Sequence, residues 1–332
     1  MPDNNSNKYK ALTLSGGGVR GLISALVLQE IEVRTNKPIS SLFDIIVGTS
    51  TGGLAALVLN KPDDKGKAKY SASDLVSFYY NNAHIIFQPK TTSSTINFIS
   101  NLFSPKYNSQ HRYDSFRHIL GSTLIESSLS EVVVTSYDTE LRVPVYITSN
   151  IKEEKEGENR HIISSPIYMY EAAMATSAAP TFFQPFKLKT NNLSKGYYSL
   201  VDGGIYANNP SYIAIQYGLC KGYSIKDIIL CSIGTGSLTR PYTYNSTSKW
   251  GLVNWVQPLI DMLMDSQSCS VNVFGQTTLK DNYYKFDCLL TEALDDMDNS
   301  TLSQMSSLIT QALHLIHDKT EYIDKLCESI IY

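Results

Sequence analysis

The run Phe43-Asp44-Ile45-Ile46-Val47 stops at Gly48-Thr49-Ser50-Thr51-Gly52, and Leu54-Ala55-Ala56-Leu57-Val58-Leu59 follows at once. A nearly continuous apolar run of this length reads as a strand buried on both faces, whereas the Ala- and Leu-rich run after it favours helix. The segment therefore predicts a buried strand, one sharp turn and a helix. A serine in the middle of such a turn is lifted clear of the sheet edge, and Gly48 and Gly52 are needed because side chains there would strike the neighbouring strand and helix. A bare Gly-x-Ser-x-Gly also occurs as an ordinary glycine turn. The strand before it and the helix after it are what make Ser50 a candidate nucleophile.

The same pattern begins the chain. Lys10 to Leu14 favours strand and stops at Ser15-Gly16-Gly17-Gly18, after which Leu22, Leu26 and Ile31 recur at helical spacing as far as Val33. Glu131 to Thr135 and Val143 to Ser149 are strand-like, the second pairing with the first across Asp138-Thr139. Tyr197 to Val201 and Ile228 to Ile233 are further apolar strands, ending in Asp202-Gly203-Gly204 and Gly234-Thr235-Gly236. Strands that alternate with helices and end in glycine turns predict an α/β sheet with a parallel core. Ser71 to Tyr107 reads as helix plus long loop, and Ile151 to Arg160 as a charged surface loop. Near the end, Leu302, Met305, Leu308, Ile309, Ala312, Ile316, Ile323 and Leu326 fall on one helical stripe, which predicts a packed helix or pair. No repeat, low-complexity linker or composition break marks a second domain.

Composition narrows the function. With Lys+Arg 28 against Asp+Glu 31 the net charge is −3, and no basic stripe is present, so a nucleic-acid binder driven by phosphate neutralisation is not expected. The 5 cysteines are odd in number, scattered and never in a Cys-x-x-Cys pair, which disfavours a disulfide framework or zinc site and fits a reducing compartment. Met1 to Lys10 has no apolar core of a secretory signal, and no apolar stretch approaches the ~20 residues that span a bilayer. A cytoplasmic protein is expected, with signal-less export as the alternative. Asp295-Asp296-Met297-Asp298 lacks the glycine and spaced glutamate of a calcium loop. It reads as a solvated acidic face before a helix capped near Asn299 or Ser300, and no metal or cofactor is expected.

Gly16-Gly17-Gly18-Val19-Arg20-Gly21 matches the dinucleotide pattern Gly-x-Gly-x-x-Gly literally. Against that reading, no acidic residue ends a strand about 20 residues later, since Asp44 stands at the start of its strand. Glycines at a helix N-terminus also form an oxyanion hole, their N–H groups and the helix dipole pointing at a developing negative oxygen. Such a hole needs a nucleophile, and a serine needs a base. None of His84, His111, His118, His161, His314 and His317 stands in a glycine turn or at a clear strand end. Asp202 stands beyond the carboxyl end of a strand, where the catalytic groups of α/β sheets gather, although an Asp-Gly turn alone is unremarkable.

With these three motifs in this order the chain resembles the patatin-like phospholipase family. The resemblance runs over roughly residues 8 to 240, and it assigns Gly16, Gly17, Gly18 and Arg20 to the oxyanion loop. It assigns Ser50, between Gly48 and Gly52, to the nucleophile elbow, and Asp202 to a Ser-Asp dyad that works without histidine. Ala175-Thr176-Ser177-Ala178-Ala179-Pro180-Thr181-Phe182-Phe183 resembles the segment lining the family's site, and Asn208-Asn209-Pro210 follows the aspartate as in relatives. Ser15 stands where many members carry Asp.

The resemblance implies a three-layer α/β fold with a mostly parallel central sheet flanked by helices, forming one catalytic domain over 8–332 with a motif-bearing core, 8–240, and a helical part, 241–332. It implies a lipid acyl hydrolase of phospholipase A or lysophospholipase type, acting on a phospholipid or lysophospholipid during transient contact with a membrane surface. Arg20 is expected either to add positive charge near the oxyanion or a phosphate head group, or to brace the loop by a salt bridge. Phe78 to Phe103 is the candidate lid or membrane-contact surface, with a buried helical subdomain as its alternative. Residues 240–332 are the candidate site for an activating small molecule or protein. The rival functions are a catalytically silent or activator-dependent lipid-binding effector and a Rossmann-like nucleotide-binding module.

Overall fold

The computed structural model of the chain describes residues 8–88, 105–150, 155–156, 160–164, 166–191, 193–237, 240–290 and 296–331. Its strands are β1 (Tyr9–Leu14), β2 (Ile45–Thr49), β3 (Glu131–Asp138), β4 (Val143–Thr148), β5 (Lys155–Glu156), β6 (His161–Ile163), β7 (Phe186–Lys189), β8 (Tyr197–Asp202), β9 (Ile228–Ile233) and β10 (Tyr283–Phe286). The longer helices are α1 (Gly21–Thr35), α2 (Thr51–Leu59), α3 (Ala72–Ile86), α4 (Ser109–Leu120), α5 (Met169–Thr176), α6 (Ser211–Cys220), α7 (Leu252–Leu279), α8 (Leu302–Asp318) and α9 (Thr320–Ile331).

All ten strands join one sheet in the order β10-β9-β1-β2-β3-β4-β6-β5, with β8 on β3 and β7 on β8. From β10 to β3 every neighbour is parallel. Both faces of β1, β2 and β9 are covered, which is why their sequences run apolar instead of alternating. One face carries Leu12, Leu14 and Ile46 beneath α1, α2, α8 and α9, and the other carries Ala11, Ile45, Val47 and Leu230 beneath α6. This is a mostly parallel sheet between helical layers, as the resemblance implied.

The hairpin of β3 and β4 forms with the expected partners, Asp138 opposite Val143. The tail forms the pair α8 and α9, with Met305, Leu308, Ala312, Ile323 and Leu326 buried against the core. Leu302 departs from the expected stripe: it opens α8 and is 70% exposed, because the first turn projects beyond the core. Two tail elements went unread in the sequence, the edge strand β10 and the 28-residue α7. Of the expected surface loop at 151–160, Lys155–Glu156 pairs with β6, and residues 151–154 and 157–159 lie outside the described residues.

The expected membrane-contact segment divides. Residues 89–104, with Phe98 and Phe103, lie outside the described residues. Phe78, Tyr79 and Ile86 on α3 and the following Phe87 instead belong to the core or pack against it. They recur on one face of an amphipathic helix, so for this part the buried-helix alternative holds. Among the described residues no helix is long and apolar enough to cross a membrane.

Candidate active site

Ser50 sits between β2 and α2 with φ 56° and ψ −122°, a conformation L-residues avoid unless their surroundings impose it. Here they do. The Ser50 N–H donates to Thr176 Oγ1 at 2.9 Å, and the Thr49 hydroxyl donates to the Ala207 carbonyl at 2.6 Å. The turn is also close-packed: a Cβ on Gly48 would lie 2.3 Å from the Gly52 carbonyl oxygen, and one on Gly52 would lie 2.2 Å from that of Leu14.

Sheet register brings Asp202 to this serine. β2 ends at Thr49, opposite Thr135 of β3, and β8 then takes over the same edge of β3 in the antiparallel sense, with Asp202 opposite Ser136. The aspartate therefore lies one step beyond the point where the chain turns at Ser50. Its carboxylate accepts a hydrogen bond from the Ser50 hydroxyl and one from the Gly204 N–H at 2.7 Å. Burial pushes the Asp202 pKa up to about 6, against the opposing pull of the Ser50 bond, the Gly204 bond and the positive charge of Arg112. Among the described residues no histidine lines the cavity that holds the pair.

The glycine loop follows β1 and lies beside the elbow. Gly16 is not placed as an oxyanion donor: its N–H bonds the Asn208 carbonyl at 3.1 Å, and its own carbonyl accepts from Thr235 Oγ1 at 2.7 Å. Gly17 and Gly18 line the cavity with Ser50, and among the described residues no backbone carbonyl outside the regular elements takes either N–H. Gly18, with φ 58°, is pressed against the Met297 carbonyl, which also accepts the Val19 N–H at 2.9 Å. Arg20 turns the other way. It is buried and lines a separate polar cavity with Asp261, Asp265, Lys285 and Asp287.

The cavity holding Ser50 and Asp202 is overwhelmingly apolar, walled by Leu54, Phe78, Ile86, Phe116, Phe182 and Phe183. Ser177, Ala179 and Pro180 also line it, and the Ala178 carbonyl accepts the Asp202 N–H at 3.0 Å, so the 175–183 segment stands where the resemblance put it. Asn209 ties the turn after Asp202 to α7, its N–H donating to Gln267 Oε1 at 3.0 Å and its Nδ2 to Asn272 Oδ1 at 2.9 Å.

Sequence reading missed Met297 and Arg112 as site residues, and it gave Thr176 only as a member of the 175–183 segment, without its bond to the Ser50 N–H. Met297 and Arg112 carried no local signal, since each reaches the site from a distant segment. Nor is the 295–298 run wholly a solvated face. Residue 295 lies outside the described residues, but the Asp298 side chain is only 13% exposed and accepts from Tyr107 Oη at 2.6 Å and Lys106 Nζ at 2.5 Å. The helix that follows is capped by Thr301, whose hydroxyl accepts the Gln304 N–H at 3.3 Å. Asp298 thus pins the turn whose Met297 carbonyl holds the glycine loop. Asp298→Ala, which strands the Tyr107 hydroxyl, is expected to cost about 1–3 kcal/mol and to lower the melting temperature by several degrees, with Asp298→Asn losing less. Calorimetric melts equal to wild type would refute the pin.

The family model described as Patatin-like phospholipase matches residues 12–215. Patatin-like protein 1 of Arabidopsis thaliana is 29% identical over 335 residues, covering 90% of this chain and 78% of the relative. The probable inactive patatin-3-Kuras 1 of Solanum tuberosum is 28% identical over 335 residues, covering 92% and 85%. Among solved structures, VipD from Legionella pneumophila superposes with a TM-score of 0.40 at 12% identity, over 94% of this chain and 67% of that one. ExoU in complex with SpcU, from the type III secretion system of Pseudomonas aeruginosa, gives 0.37 at 12% identity over 96% and 61%. The glycine loop, the serine elbow and the aspartate that ends β8 all fall inside the matched span 12–215, and the chain belongs to the patatin-like phospholipase family.

Proposed function

We propose that this chain hydrolyses fatty-acyl esters of phospholipids or lysophospholipids through a Ser50-Asp202 dyad. The observation that carries the reading is the hydrogen bond from the Ser50 hydroxyl to a buried carboxylate at the end of an apolar cavity. The acyl chain lies along the phenylalanine-rich wall, and the ester carbonyl rests at the elbow. Asp202 takes the hydroxyl proton as Ser50 Oγ bonds to the carbonyl carbon, and the oxygen that gains charge is met by the N–H groups of Gly17 and Gly18. Collapse breaks the bond to the alcohol, which leaves with the proton from Asp202. Water then attacks the acyl-serine, Asp202 again accepting its proton and returning it to Ser50 Oγ as the bond from Oγ to the acyl carbon breaks, and the fatty acid is released.

A carboxylate of ordinary acidity is a weak base, and the raised pKa of Asp202 answers that need. A group with a pKa near 6 is mostly ionised at pH 7 yet close enough to neutrality to accept a proton. Activity requires the ionised form, so kcat/KM is expected to rise through about pH 6 and level off above it.

The test is incubation of the protein with mixed phospholipid vesicles in ¹⁸O-water. Released fatty acid carrying one ¹⁸O, with an acyl adduct on the peptide containing Ser50 under acid quench, supports the reading. Vesicle binding without fatty acid or adduct, with or without added cell extract, favours the silent lipid-binding effector. The masses of the products name the acyl position.

A further inference from the structure

One charged side chain in the cavity wall is unused by the chemistry above. Arg112, on α4, is 1% exposed and lines the same cavity as Ser50 and Asp202. Its guanidinium lies 4.2 Å from the centre of the Phe183 ring, and Nη1 donates to the Ser177 carbonyl and, at 3.3 Å, to Ser177 Oγ. The other edge is vacant: Nε and Nη2, the parallel pair of donors that matches a carboxylate, have no hydrogen-bond partner among the described residues. A fully buried arginine with three of its five donors unmet is costly, and packing alone is a poor reason to keep it. Among the described residues, Arg112 and Asp202 are the charged side chains lining this cavity, and each charge acts on the other through space.

We propose that Arg112 is a positioning residue for the dyad: its buried cation, left without another counter-charge in the cavity, holds Asp202 in the ionised form that accepts the Ser50 proton. The inference rests on the hydrolase reading. The other titratable groups facing Asp202 are neutral hydroxyls. Ser50 donates to it, Tyr206 follows it in the chain, and the nearby Tyr79 hydroxyl is occupied with Thr51 at 2.8 Å. With Arg112 neutralised, only the Ser50 and Gly204 bonds still oppose the burial that favours the protonated carboxyl, and no positive charge does.

The direction follows. Removing the cation raises the Asp202 pKa, and the acid limb of reactivity moves to higher pH. The experiment is the rate at which a fluorophosphonate probe labels Ser50 between pH 5 and 8 in wild type, R112Q, R112M and R112K, with folding checked by circular dichroism. In R112Q and R112M the limb is expected to move up by about one pH unit, so that labelling at pH 5 is about tenfold slower while the rates converge by pH 8. R112K, which keeps the charge, is expected to retain the wild-type limb. A uniform loss at every pH in the neutral variants overturns the proposal and leaves Arg112 as a strut for Ser177. Failure of both neutral variants to fold overturns it in the same sense. A wild type that the probe does not label removes the hydrolase reading itself, and this inference with it.

Discussion

Asp202→Asn is expected to lower acyl release about 10²- to 10⁴-fold, the usual worth of a positioned general base, while making the protein more stable. The amide keeps the shape of the carboxyl, and its oxygen still accepts the Gly204 N–H, but it takes no proton from Ser50. The stability gain follows from linkage. Asp202 has a pKa of about 6 in the fold against an ordinary 3.8, so folding favours its protonated form. That contribution is fully present below about pH 4 and is lost as pH rises through 6. At pH 7 the loss is about 3 kcal/mol, and a neutral asparagine recovers part of it. Ser50→Ala is expected to cost about 10⁴-fold or more, because the covalent route disappears. Since the two residues act as one unit, the double variant should be little worse than Ser50→Ala alone. Multiplied losses in the double variant, or an Asp202→Asn protein that melts below wild type at pH 7, would break the assignment of a base whose buried carboxylate destabilises the fold.

What could be read in the sequence was what is local. The elbow announced itself because Ile45, Ile46 and Val47, Gly48, Ser50, Gly52 and the run from Leu54 are contiguous, and each type constrains the backbone at its own position. Asp202 was legible as a residue at a strand end. Its meeting with Ser50 was not, since it depends on β8 continuing the edge that β2 leaves, a fact of register between strands some 150 residues apart. Arg112 was illegible for the same reason. His111-Arg112-Tyr113-Asp114 reads as a wet helix face, and only the packing of α4 beside α5 puts that side chain under Phe183 and Ser177. Asp298 was misread because a run of acids is normally solvated, and its partner Tyr107 is 191 residues away. β10 escaped notice because Tyr283-Tyr284-Lys285-Phe286 is too short for a period to show. The functional residues found early are those whose chemistry is imposed by a turn. Those missed are imposed by what the turn is packed against.

Gly52→Ala should show how closely that packing is set, with an expected loss of about 3 kcal/mol or more and a fall of about 10 °C in melting temperature. No unusual φ is involved, since Gly52 lies in the first turn of α2, where alanine would ordinarily be the better helix former. The cost is collision. The added Cβ would stand 2.2 Å from the Leu14 carbonyl oxygen, 2.5 Å from the Leu14 carbonyl carbon and 2.8 Å from the Ser15 oxygen. All three are backbone atoms, so no rotamer change relieves the contact. Leu14 ends β1 and Ser15 leads into the glycine loop, and the only relief is to part α2 from that junction. The same displacement separates Ser50 from Gly17 and Gly18, so the residual folded protein should label slowly with a serine-directed probe. Gly222→Ala supplies the contrast: that glycine has φ 91° with nothing within 4 Å of an added Cβ, so it carries only the backbone penalty of about 1 kcal/mol. A Gly52→Ala protein that melts no lower than Gly222→Ala would mean that the elbow and the oxyanion loop are not wedged together as described.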